Sequence, residues 1–164
     1  MLIDKYYSYL KKEDLNKAIV VPKEMIIKNS EDNEGWVKWE PVQSNVKNSE
    51  LESLERKYGL HLPKYYIDFI MSKQFLDIQI GNYTLYGINS LNTLDKVALL
   101  LPERILKNGF FPIGNIDDTD YIVLDTNNGK VVRLSFEDYK QEEMLNESFV
   151  DLLQFLQKLL ENKL

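Results

Sequence analysis

The residues best suited to chemistry are carboxylates. Asp117, Asp118, Asp120 and Asp125 follow one another closely, and closely spaced carboxylates bind divalent cations or exchange protons. Asp-Asp-Thr-Asp lies between two strand-like runs, however, where Asp is favoured in turns for its local hydrogen bonds, and it lacks the spacing of a calcium loop. His61 is the only histidine and stands between Leu60 and Leu62, so no metal site can be built from it alone. There is no cysteine, which removes disulfides, thiolate nucleophiles and cysteine zinc sites. No glycine-rich phosphate loop is present. The expectation is no catalytic residue, no metal and no cofactor. A second acidic group, Glu31, Asp32 and Glu34, sits in the polar stretch 29–35 just before Trp36. Both groups have the same two readings: solvated turns, or contacts for a basic partner.

The charge balance favours the partner class over nucleic acid. The net charge is −6 over 164 residues, and phosphate binding needs basic patches. The acidic excess lies in residues 29–62, 109–140 and 141–164, whereas 1–28 and 63–108 are slightly basic. If the loops at 31–34 and 117–120 meet in space, they make a single-sign patch able to steer a basic protein. Trp36 adds a second kind of contact. Residues alternate along the extended Trp36-Val37-Lys38-Trp39, so one tryptophan faces inward and the other outward. Exposed tryptophans are enriched in binding hot spots. No window approaches the ~20 apolar residues of a membrane span, and the first residues lack a secretory pattern, so a cytoplasmic protein is expected.

The elements that must position these groups follow from periodicity. Ile3, Tyr6, Tyr7 and Leu10 predict a helix within 2–15, followed by an irregular or strand-like cover over 18–27. Ser49 with Glu52 predicts a capping box, Leu51, Leu54 and Tyr58 a buried stripe, and Gly59 a left-handed stop. Pro63 suits the first turn of a second helix with Tyr66, Phe69 and Ile70 inward. Strands are expected at 75–80 and 83–88 around a Gly81-Asn82 turn, then one short helix within 92–107 that ends or kinks near Pro102. Residues 110–116 predict a strand that Pro112 pushes toward an edge or a bulge. Strands at 121–124 and 130–134 flank Asn127-Asn128-Gly129, read as a type I′ hairpin with Gly129 at positive φ. Residues 136–146 are expected to be an acidic connection. Ser148 and Asp151 cap a last helix with Phe149, Leu152, Leu153, Leu156, Leu159 and Leu160 on its apolar face. The fold class is α+β: a mainly antiparallel sheet of about five or six strands flanked by helices.

The order of residues in the middle of the chain resembles the SUKH superfamily. The matching positions are Trp39, Pro41, Leu54, Glu55, Tyr58, Gly59, Leu62, Pro63, Tyr66 and Phe69. A later series follows at 109–114, Asp120-Tyr121, Leu124-Asp125 and Val131-Val132. The resemblance spans roughly 35–136. The length of 164 residues suits a single domain, with 1–34 an N-terminal helix and extension, 35–136 the core that the resemblance covers and 147–164 a C-terminal helix.

The superfamily includes yeast cell-wall-assembly regulators and many bacterial immunity proteins of polymorphic toxin systems. The resemblance therefore implies a non-enzymatic immunity protein that covers a cognate toxin domain, with a basic nuclease as one candidate toxin. The rivals are a regulatory adaptor of the cell-wall type and, from the aspartate cluster alone, a carboxylate enzyme. The expected contact residues are Glu31, Asp32, Glu34, Trp36, Asp117, Asp118 and Asp120.

Overall fold

The computed structural model describes residues 1–163. Helix α1, Leu2–Lys12, buries Leu2, Ile3, Tyr6 and Leu10, the stripe set by helical spacing. Strand β1, Lys17–Ala18, pairs with β2, Val37–Lys38, in a small antiparallel sheet, and a 3₁₀ turn at Lys23–Met25 lies between them. Trp39 is 4% exposed and packs on Tyr7 at 5.7 Å, while Trp36 is 40% exposed. The alternation of the two tryptophans is thus realised as expected.

Strand β3, Val42–Gln43, leads into α2, Asn48–Tyr58. The helix starts before the expected Ser49 cap. Lys47 is the cap residue, and its N–H donates to Glu50 at 2.9 Å. Glu50 supplies the returning acceptor of a capping box one turn in, so the register is set by Glu50 and not Glu52. Gly59 ends α2 in the left-handed region as expected. Helix α3, Lys64–Ser72, follows Pro63 and buries Tyr66, Phe69 and Ile70. Tyr58, Phe69 and Trp39 all join one apolar core that runs from Leu2 to Leu160.

Strand β4, Lys73–Gln74, pairs with β3. The main sheet then begins with β5, Ile78–Ile80, and β6, Tyr83–Leu85, joined at Gly81-Asn82. The expected strand 75–80 pairs only over its last three residues. The expected helix within 92–107 is two: α4, Leu94–Ala98, and α5, Glu103–Lys107, with Pro102 as the cap of the second. Strands β7, Phe110–Ile116, β8, Asp120–Asp125, and β9, Lys130–Ser135, continue the sheet. Strand β7 is internal rather than an edge, and the register shifts between Pro112 and Gly114, so the proline sits at a bulge.

Residues 141–146 are a strand, β10, where a connection was expected. Gln-Glu-Glu-Met-Leu-Asn has no apolar alternation. It is drawn into the sheet by pairing with β9, with two register shifts. The spatial order β10-β9-β8-β7-β6-β5 is a six-stranded antiparallel sheet, confirming the α+β class.

Helix α6, Phe149–Glu161, is capped by Ser148, whose hydroxyl accepts the Asp151 N–H. Phe149 meets Tyr66 and Phe69 edge-on at 5.2 and 5.4 Å. Helix α6 touches β5, β9 and β10, and α4 and α5 touch β7. The unpaired edge of β5 is covered, since the Gln79 N–H donates to the Tyr6 hydroxyl of α1 at 3.2 Å. Among the described residues no helix is long and apolar enough to cross a membrane.

Candidate functional site

An antiparallel meander returns every second turn to the same end of the sheet. The β5–β6 turn at 81–82, the β7–β8 turn at 117–119 and the β9–β10 turn at 136–140 therefore lie together. Their proximity is direct. The Asp117 N–H donates to the Asn82 carbonyl at 3.0 Å, and the Phe136 N–H donates to the Thr119 carbonyl at 3.2 Å. This end carries Asp117, Asp118, Asp120, Glu137, Asp138, Glu142 and Glu143, against Arg133 and Lys140. Arg104 lies beside it, over the ring of Tyr139 at 5.8 Å.

Asp117 and Asp118 are both at positive φ, 56° and 53°, and the Thr119 N–H closes back on the Ile116 carbonyl. Two successive left-handed residues make a type I′ turn, which Asp tolerates better than most side chains. The sequence signal had placed this turn at Asn128-Gly129. There Gly129 does have φ 76°, but Asn128 does not share the positive φ, and Asp125 pairs with Lys130 across a four-residue loop. The hairpin stands and its turn type is corrected.

Asp120 is not a surface carboxylate. It is 6% exposed, and the Arg133 Nε donates to its Oδ2 at 2.6 Å. The same guanidinium lies 3.4 Å from Asp117, 3.2 Å from Glu142 and 3.6 Å from Glu143. Asp120, first among these, holds the Arg133 proton more firmly than usual. One cation thus gathers four carboxylates, and the cluster remains net negative. Burial first, then the charges of Asp117 and Glu143, push the Tyr83 hydroxyl up, which marks the same negative field.

Sequence reasoning missed Arg133, Glu142 and Glu143. Arg133 was within reach of it. The hairpin register sets Asp120 opposite Ser135, and Arg133, two residues away, shares that face as the diagonal neighbour. Glu142 and Glu143 needed the strand that composition did not announce.

The other predicted contacts sit elsewhere. Glu31, Asp32 and Glu34 are exposed in the loop before β2, on the small β1–β2 sheet and not the main one. Asp32 is occupied locally: its Oδ1 accepts the N–H groups of Glu34 at 2.9 Å and Trp36 at 3.0 Å. His61 stands 3.1 Å from Glu55 in an exposed turn. Among the described residues no three His, Cys, Asp or Glu side chains are placed to hold a metal ion.

No curated protein matches the chain in sequence. A family model does match, over residues 45–154. That stretch leaves out Trp39 and Pro41, and it runs past Phe136 through β10 into α6. It covers α2, α3 and every strand of the acidic end. The chain belongs to the SMI1/KNR4 family (SUKH-1).

Proposed function

We propose that this protein neutralises one cognate toxin by stoichiometric binding, with the acidic end of the six-stranded sheet set against a cationic surface of the toxin. The observation that carries the reading is the gathering of Asp117, Asp120, Glu142 and Glu143 around a single arginine, with Asp118 exposed beside them, at the meeting of three turns. Kinship with a superfamily that includes toxin immunity proteins supports it. The chemistry is electrostatic and steric. A single-sign patch raises the encounter rate with a basic partner, and a covered substrate site is a blocked one. A nuclease, whose substrate site must be cationic, fits this chemistry. No bond is made or broken by the immunity protein in this reading.

The test is co-expression with each candidate toxin domain from the genes that flank this one. Wild-type protein should keep the cells alive. A variant carrying Asp117→Asn, Asp118→Asn, Glu142→Gln and Glu143→Gln, verified as folded by its melting curve, should fail to protect. In vitro its association should be slower by about tenfold or more, with most of the salt dependence lost. Full protection by the folded variant would remove this surface from the reading and leave Trp36 with Glu31 and Glu34 as the next face to test.

A further inference from the structure

A cleft of about 580 Å³ opens between α1 with the segment after it and the two stretches 76–77 and 89–92. Its floor is apolar, formed by Tyr6, Leu10 and Trp39, and its rim carries Leu15, Val20 and Leu91. All three rim side chains are exposed, Val20 by 74%. Isolated exposed apolar residues need no explanation, but three around one concavity make a place where an apolar stem can be covered.

The two walls differ in charge. On one, Lys17 is already engaged: Asp14 lies 2.7 Å from its ammonium and 2.8 Å from that of Lys38. The two lysines hold the Asp14 carboxyl down at about 2. On the other wall stands Asp77. Its Oδ1 accepts the Gly87 N–H at 2.7 Å, and among the described residues no lysine or arginine reaches it as an ion pair. Asp77 is exposed as a residue, yet the atoms around its carboxyl desolvate it enough to raise it, and no countercharge offsets this.

We infer that this cleft takes a lysine or arginine side chain of the toxin partner, its aliphatic stem against Leu15, Val20 and Leu91 and its charged head on Asp77. Long cationic side chains are built for this division, with an apolar stem and a charged tip. The inference rests on the toxin-binding reading and names a second anchor for the same partner. The charges of both places reach Tyr86. Its hydroxyl is pushed up to about 12, by burial first and with contributions from both Asp77 and Asp118.

The experiment separates the two claims. Amide chemical shifts of the full-length protein are followed while N-acetyl-arginine amide is added, with the neutral isostere N-acetyl-citrulline amide as control. The comparison protein is Asp77→Asn, which keeps an oxygen for the Gly87 N–H. Saturating shifts at Ala18, Asp77, Gly87 and Leu91 with the arginine probe, weakened at least about fivefold in Asp77→Asn, support the cleft as a cation seat. Absence of shifts there, equal shifts with citrulline, or shifts undiminished in Asp77→Asn would overturn it. Toxin affinity gives the second arm. Asp77→Asn should weaken binding about tenfold, the scale of a partly desolvated charge pair. If wild type and Asp77→Asn bind the toxin equally, the cleft inference fails alone. If wild type binds no toxin, the reading beneath it fails as well, whatever the probe shows.

Discussion

The two ends of β8 carry similar residues and do different work. At the far end, the loop 126–129 uses its polar groups on itself. Asp125 Oδ1 accepts from the backbone N–H and side-chain amide of Asn127, Asn127 also donates to the Asn108 carbonyl, Thr126 donates to Gly109, and Asn128 accepts from Lys130. At the near end, Asp117 and Asp118 occupy left-handed backbone that glycine would adopt more cheaply. There Asp117 meets Arg133 at 3.4 Å and accepts from the Asn82 side-chain amide at 2.6 Å, while the exposed Asp118 carboxylate has neither an ion pair nor a hydrogen bond among the described residues. One turn satisfies its polar groups internally, which is what stability alone asks for. The other holds Asp118 in left-handed backbone with no partner for its carboxylate, which fits the proposed use of this end as a binding surface.

Both ends of β8 ride on a common core, and the largest expected effect is the loss of a side chain at its centre. Phe69 lies between Phe75 at 5.1 Å and Phe149 at 5.4 Å, edge-on to both. Phe69→Ala should cost about 3–5 kcal/mol and lower the denaturant midpoint without a separate transition for either end. A loss under about 1 kcal/mol would mean that α3 does not tie the sheet to α6 as described.

Asp120→Ala strikes the near end only. It strips the buried acceptor from Arg133 but leaves Asp117, Glu142 and Glu143 close by. The expected cost is about 2–3 kcal/mol, below the ~3–5 of a fully buried pair, because part of the guanidinium remains in contact with water. Hydrogen exchange should quicken in β8–β9 near Asp120 and stay unchanged around Gly129. Equal quickening at both ends would show that the ends are not independent.

Gly129→Val strikes the far end. No atom lies within 4 Å of where a Cβ would stand, so the cost is backbone strain at φ 76° and not collision. About 1–2 kcal/mol is expected for a β-branched residue held in that region. A variant as stable as the parent would show that this loop relaxes freely.

These effects also mark what the sequence made legible. The α2–Gly59–α3 unit, the opposite facing of Trp36 and Trp39, the Asn-Gly hairpin and the capped last helix were readable because each depends on neighbours in the chain. Strand β10 was not, because Gln141–Asn146 is a strand only through its pairing with β9, and edge strands are commonly charged. The site was half legible for the same reason. Asp117 and Asp118 stand out as a turn, but the burial of Asp120 and the role of Arg133 arise from cross-strand register, which local composition does not carry.

The smallest effect separates the two ends most sharply. Asp118→Gly removes a left-handed side chain that makes no hydrogen bond through its carboxylate among the described residues. Glycine suits φ 53°, so the folded protein should gain up to about 1 kcal/mol. The same change deletes one charge from the acidic end, and association with the toxin should slow by a few fold at low salt and less at high salt. Greater stability with slower association is the signature of a residue retained for binding at a cost to folding. Neither result alone has that meaning. A gain in stability with unchanged association would make the Asp117-Asp118 turn an ordinary solvated hairpin, equivalent to the one at Gly129, and the distinction between the two ends of β8 would be lost.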